Sequence, residues 1–246
     1  SGIKRTEIAL LYRSNAQSRI IEHALFSAAI PYRVYGGLRF FERAEIKHAL
    51  AYLRLLENPN DDTSFSRVVN FPARGIGARS LEALQDAARL NQSSLYAAAS
   101  FVDGKAGTTL SGFVRLIDHM REATKHNTLP EVVDFVIQHS GLIQHYLAER
   151  EGQDRIENLQ ELVNAATAFI SEEGIGQDSR AQTPTELNTS VPVDPLFAQD
   201  NVEQIILEMS PLAAFLAHAS LEAGDNQAQA GQDAVQLMTV HASKGL

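Results

Sequence analysis

Val235-Gln236-Leu237-Met238-Thr239-Val240-His241-Ala242-Ser243-Lys244-Gly245-Leu246 is the stretch whose reading decides the fold. Its first half is apolar and reads as a buried strand. The Thr-x-His-x-x-Lys-Gly that follows reads as a polar turn with exposed backbone. A buried strand needs neighbours on both sides. One candidate lies at the far end of the chain, in the apolar run Ile8-Ala9-Leu10-Leu11-Tyr12. Pairing of these two runs is expected to be parallel, because whatever lies between must leave one domain and re-enter it. The Lys-Gly turn reads as the opening of a motif that continues, so the chain is expected to be a piece of a larger enzyme.

Arg13-Ser14-Asn15 ends the first strand, and Ser14 or Asn15 can cap a helix with Ile20, Ile21, Ala24 and Leu25 on one face. Pro31 stops that helix, Tyr32–Tyr35 reads as a second short strand, and Gly36-Gly37 as a turn. From residue 38 to about 222 the periodicity is helical. Ile46, Leu50, Leu53 and Leu56 share one face, and Phe65, Val68 and Val69 belong to the next helix, which Pro72 stops. Leu81, Leu84, Ala88 and Leu90 follow, then Phe113, Leu116, Ile117 and Met120. Thr128-Leu129-Pro130-Glu131 is a capping box with proline in the first turn. Ile156, Leu159, Leu162, Val163, Ala166 and Phe169 make an amphipathic stripe that reads as a packed core face. Residues 171–201 lack periodicity and read as a mobile surface insertion. Ser210-Pro211 then opens a final helix through Leu221. The expected fold class is mainly α, an all-helical inserted domain beside a small parallel α/β element.

Composition excludes several classes. The 246 residues are 44% hydrophobic and contain no cysteine, so neither disulfides nor a Cys-ligated zinc site is possible. That usage fits a cytoplasmic protein. No apolar run approaches the roughly 18 residues of a membrane span. The eight histidines are scattered without metal-ligand spacing, so no metal site is expected. Net charge is −9, but it is unevenly placed. Residues 1–80 hold 12 Lys/Arg against 7 Asp/Glu, whereas residues 151–246 hold 3 against 15. A phosphate-binding face is therefore sought in the first third.

Phe71-Pro72-Ala73-Arg74-Gly75-Ile76-Gly77-Ala78-Arg79-Ser80 lies between two expected helices. Two glycines around one apolar residue permit a tight hairpin, and the helix after it offers free backbone N–H groups to a phosphate. Arg74 and Arg79 add positive charge. A plain helix-connecting turn is the competing reading. Gly174-Ile175-Gly176 repeats the triplet among Glu172, Glu173 and Asp178, where phosphate would be repelled. At the first strand's carboxyl end, Tyr12-Arg13-Ser14-Asn15-Ala16-Gln17-Ser18-Arg19 forms a polar loop of the kind that binds ligands in open α/β sheets.

Taken with Gly36-Gly37-Leu38-Arg39-Phe40-Phe41-Glu42-Arg43-Ala44-Glu45-Ile46-Lys47 and Arg155-Ile156-Glu157-Asn158-Leu159-Gln160-Glu161-Leu162, these strings in this order resemble the superfamily 1 DNA helicases of the UvrD/PcrA/Rep family. The resemblance implies that residues 1–36 and 233–246 belong to a RecA-like domain, 2A, and residues 37–232 to a helical domain, 2B. It implies that Arg13, Asn15, Thr239 and His241 lie on a single-stranded DNA track. Ser243, Lys244 and Gly245 would belong to motif V, which couples that track to the nucleotide cleft. Arg74, Gly75, Ile76, Gly77 and Arg79 would hold duplex backbone. It further implies a parent that unwinds DNA 3′ to 5′ in repair, using ATP and magnesium. The expected partners are duplex DNA with a 3′ single-stranded tail and repair proteins, with no membrane. The chain itself has no Gly-x-x-x-x-Gly-Lys-Ser/Thr loop and no Asp-Glu magnesium motif after a buried strand. Hence no catalytic residue and no cofactor is expected within it. A motor-free DNA-binding module and a regulatory, protein-binding domain remain as alternatives.

Overall fold

The computed structural model describes residues 3–150, 152–173, 209–224 and 232–245. Three short strands, β1 (Ala9–Tyr12), β2 (Tyr32–Tyr35) and β3 (Val235–Thr239), form one sheet in the order β1-β3-β2. Both pairings are parallel, with Leu10 opposite Leu237 on one side and Val34 opposite Leu237 on the other. The last strand in sequence is thus the central one, as its apolar composition requires: Leu237 is fully buried, and Val235 and Met238 nearly so. The ends are clipped together. Val240 N–H donates to Tyr12 O at 2.9 Å, and Thr6 N–H to Asp233 Oδ1 at 2.9 Å. Tyr12, Tyr32, Val235 and Leu237 form a small core of their own, against which Ile21 and Leu25 of α1 (Ser18–Ser27) pack.

The helix α1 corrects one expectation. Ile20 is 61% exposed, and the residues buried on this helix are Ser18, Arg19 and Glu22. Its second face is polar because it bonds to the helical body rather than to the sheet.

That body comprises α2 (Ala44–Glu57), α3 (Asp62–Val68), α4 (Ala78–Asn91), α5 (Leu95–Ala98), α6 (Gly104–Ala123), α7 (Leu129–His139), α8 (Leu142–Leu147), α9 (Gly152–Glu173) and α10 (Pro211–Gly224). α2 is central: Ile46, Ala49, Leu50, Ala51, Tyr52, Leu53, Leu55 and Leu56 are all buried, and α3, α6, α7, α9 and α10 contact it. Helix starts are set by local chemistry. Asp61 accepts from Thr63 and Ser64 N–H to cap α3, and Thr128 with Glu131 forms the capping box of α7. The α4 stripe holds at Leu84 and Ala88, but Leu90 is 81% exposed, because the helix ends one residue later and the chain turns away there. Helix α9 runs through 171–173, so the expected insertion cannot begin at 171; its remainder, with Gly174-Ile175-Gly176, lies outside the described residues.

Sheet and body meet through buried polar groups. The Arg43 guanidinium donates to Asn15 O at 2.7 Å, Ser18 Oγ at 2.6 Å and Asn158 Oδ1 at 3.0 Å. Asn158 in turn donates to Glu45 Oε1 at 2.7 Å. Glu22 accepts from Phe40 N–H at 3.0 Å, and Arg19 pairs with Glu161. Burial raises the Glu22 pKa; the bonds from Ser18 and Phe40 pull the other way. The strings around Arg39–Lys47 and Arg155–Leu162 are therefore the joint of the molecule.

Candidate nucleic-acid interface

Parallel strands place their carboxyl ends at one edge. Tyr12 lies opposite Thr239, so the turns after β1 and β3 leave the sheet side by side. After β1, the Gln17 side chain accepts from Arg13 N–H at 3.0 Å and Ser14 N–H at 3.3 Å and fixes a 3-10 turn over Asn15–Gln17. This leaves the Arg13 side chain exposed and the Asn15 amide half-buried, neither with a side-chain partner among the described residues. After β3, Thr239 Oγ1 accepts from Ala242 N–H at 3.0 Å, and Ser243 Oγ donates to Val240 O at 2.9 Å. These bonds shape a 3-10 turn over Ala242–Gly245. His241 and Lys244 remain exposed, with no side-chain partner among the described residues. The two turns thus present Arg13, Asn15, His241 and Lys244 together, while Thr239 and Ser243 build the turn.

Gly36 closes this edge from the β2 side. Its φ is +74°, and a Cβ there would sit 2.6 Å from Ala242 Cβ. Only glycine lets the end of β2 pass so near the turn.

The Gly75-Ile76-Gly77 hairpin lies elsewhere on the chain, between α3 and α4. Ile76 is 1% exposed and anchors the loop in the core. Asn70 braces it: its Oδ1 accepts from Arg74 N–H at 2.8 Å and Ile76 N–H at 3.1 Å. The N–H groups of Gly75, Gly77, Ala78 and Arg79 have no acceptor among the described residues, and all four residues are exposed. No side chain caps α4 at Gly77. The hairpin therefore offers a short row of donors at a helix start, beside the Arg79 side chain, which has no partner among the described residues.

Two expectations are corrected here. Arg74 directs its guanidinium to acceptors within the protein. Its guanidinium donates to Val68 O (3.1 Å), Pro72 O (3.0 Å), Tyr52 Oη (2.6 Å) and Ser140 O (2.8 Å), and lies over the Phe113 ring. It pins the loop to the body. Tyr52 is its buried partner; its hydroxyl donates to Phe71 O, and burial pushes its pKa up to about 12, so it stays a neutral phenol. Likewise the two glycines are not equivalent. Gly75 has φ +76°, whereas Gly77 is extended at φ −86°, ψ 178°, a conformation open to any residue. Asn70 and Tyr52 were missed by sequence reasoning. An Asn just before a turn is a recognised bracing residue and was readable in principle; a buried tyrosine inside a helix stripe carries no such signal.

A family model described as the UvrD-like helicase C-terminal domain matches residues 1–246. DNA helicase II of Haemophilus influenzae is 45% identical over 100% of this chain and 30% of its own length. DNA helicase II of Escherichia coli is 45% identical over 100% of this chain and 31% of its own. The ATP-dependent DNA helicase PcrA of Bacillus subtilis is 35% identical over 99% of this chain and 30% of its own. The chain thus spans about three-tenths of the length of the curated relatives it matches.

Proposed function

The chain belongs to the UvrD-like helicase family, and from that membership we propose that it forms a DNA-handling part of an ATP-dependent 3′–5′ DNA helicase acting in repair. The single observation that carries the reading is the shared edge of β1 and β3. There Arg13, Asn15, His241 and Lys244 lie on adjoining turns shaped by hydrogen bonds from their neighbours, with no side-chain partner among the described residues. Such a row of cationic and amide donors suits the phosphates of a single strand. In this reading residues 1–36 and 233–246 contribute to domain 2A, residues 37–232 form 2B, and Ser243, Lys244 and Gly245 stand where track and nucleotide cleft are coupled. The Gly75–Arg79 hairpin grips duplex backbone through the free N–H groups of Gly75, Gly77, Ala78 and Arg79, with the Arg79 side chain adding charge. Arg74 serves by holding the loop.

The residues present do not fit ATP on their own, since the chain has no Gly-x-x-x-x-Gly-Lys-Ser/Thr loop and no Asp-Glu pair after a buried strand. Nucleotide chemistry is therefore assigned to other parts of the helicase. Repair proteins are a further expected class of partner. Fluorescence titrations against a blunt duplex, a single strand, and a duplex with a 3′ single-stranded tail test the reading. The tailed duplex should bind tightest, with affinity falling steeply with salt. Equal affinity for all three would remove the assignment of two cooperating surfaces.

A further inference from the structure

His218 and Glu222 lie four residues apart on α10, hence on one face. His23 reaches them from α1, across the joint between sheet and body. Its Nδ1 is 2.6 Å from Glu222 Oε1, and His218 Nε2 is 3.5 Å from the same oxygen. One nitrogen or oxygen from each of the three side chains lies within 4.8 Å of the others. Glu222 is buried and both histidines are half-buried, around a cavity of about 10 Å³ that Phe169 and Phe215 also line. Glu172 on α9 takes the remaining nitrogen of His23, with Nε2 at 2.9 Å from its Oε2.

The sequence expectation of no metal site rested on spacing along the chain. Spacing along the chain does not register what the fold brings together, here residues 199 positions apart at 2.6 Å. We propose that His23, His218 and Glu222 bind one divalent transition-metal ion, zinc in the first instance, with Glu172 orienting His23 from outside. Two imidazoles and one carboxylate are a donor set for zinc or cobalt, with a fourth position left for water. Calcium and magnesium take oxygen ligands, so two imidazole nitrogens in the set argue against either. Glu172 adds the usual outer carboxylate: a histidine that ligates through one nitrogen donates its other N–H to such a group, which fixes the tautomer. Metal binding would release the proton that His23 Nδ1 now directs at Glu222, leaving two carboxylates to match the double positive charge. The nearby cations are already engaged, Arg19 by Glu161 and Arg39 by Glu42 and the Ala223 carbonyl. In a tetrahedral zinc site the ligand atoms sit roughly 3.3 Å apart, so His23 Nδ1 and Glu222 Oε1, now hydrogen-bonded at 2.6 Å, must part as the ion enters, while His218 Nε2, 3.5 Å from the same oxygen, must draw in. An ion here ties α1, on the sheet side, to α10 in the body, independently of any nucleic-acid role.

The test uses the untagged chain and cobalt(II) chloride. One equivalent should produce visible d–d absorption, and zinc should displace it. The chain has no cysteine, so thiolate bands cannot confuse the spectrum. His23→Gln and His218→Gln should each weaken zinc binding more than about 100-fold, and Glu172→Gln about 10-fold, as outer partners do. Zinc should raise the melting temperature of the wild type and not of the histidine variants. Circular dichroism without metal establishes that each variant is folded. Glu172 is exposed, so its variant keeps the comparison available if a histidine variant fails to fold. Absence of d–d absorption at one equivalent overturns the proposal. So does undiminished zinc affinity in Glu172→Gln together with any folded histidine variant.

Discussion

Arg74 and Arg79 stand five residues apart, and the difference in their surroundings separates their roles. Arg74→Ala strips donors from three backbone carbonyls and Tyr52. It should cost about 2–3 kcal/mol of stability, read as a lower urea midpoint. Arg79 is exposed, with no side-chain partner among the described residues. Arg79→Ala should leave the urea midpoint within about 0.5 kcal/mol of wild type, while reducing the salt slope of duplex binding by about one. An unchanged slope would remove the Arg79 side chain from the phosphate contact. His48 offers a pH test at the same scale. It is stacked on Phe71 at 3.7 Å between ring centroids, and burial pushes its pKa from 6.5 to about 4. As pH falls from 6.5 towards 4, the unfolded chain takes up a proton that the folded chain resists, so stability falls across that window. His48→Gln should flatten the melting temperature against pH over that range. A profile parallel to wild type would refute this.

The start of α4 shows what an element adds to its residues. Gly75 carries the positive φ, so Gly75→Val should cost about 1–3 kcal/mol. Gly77 is extended and occupies the cap position, so Gly77→Ser should fold at least as well as wild type. Its hydroxyl would accept from the same helix-start N–H groups that the proposed phosphate uses. Gly77→Ser should therefore weaken duplex binding at unchanged charge and unchanged melting temperature. Undiminished binding would exclude the backbone donors. Elements of this kind were largely legible in the sequence. The stripes through Ile46–Leu56 and Ile156–Phe169 and the capping box at Thr128 are local patterns, and local patterns survive in one dimension. Ile20 and Leu90 misled because an apolar residue on the right face still needs something opposite it. Half of the candidate site was legible on the same terms: the turn strings at Arg13–Asn15 and Thr239–Lys244 announced an edge. The inward turn of Arg74 was not. Its acceptors Tyr52 and Ser140 are 22 and 66 positions away, and such bonds leave no periodic trace. The Arg43–Asn158–Glu45 joint was hidden for the same reason.

At the scale of the molecule, the chain without a phosphate loop should show no DNA-stimulated ATP hydrolysis; activity that copurifies through successive columns and a point variant would overturn this. β3 is the middle strand of the sheet and comes after the whole helical body in sequence. β1 and β2 do not pair with each other, so neither has a partner until β3 arrives across more than 200 residues, as the Thr6–Asp233 bond at a separation of 227 illustrates. Closing such a loop is entropically slow, whereas the body folds through contacts between helices mostly near in sequence. The refolding chain should therefore assemble in two stages. Pulse-labelling hydrogen exchange should protect amides of α2, α6 and α7 first and those of β1 and β2 last. Until then the segment bearing Arg13 and Asn15 would be a tethered arm on a finished helical body, and the edge that presents them with His241 would be the last part of the protein to come into being.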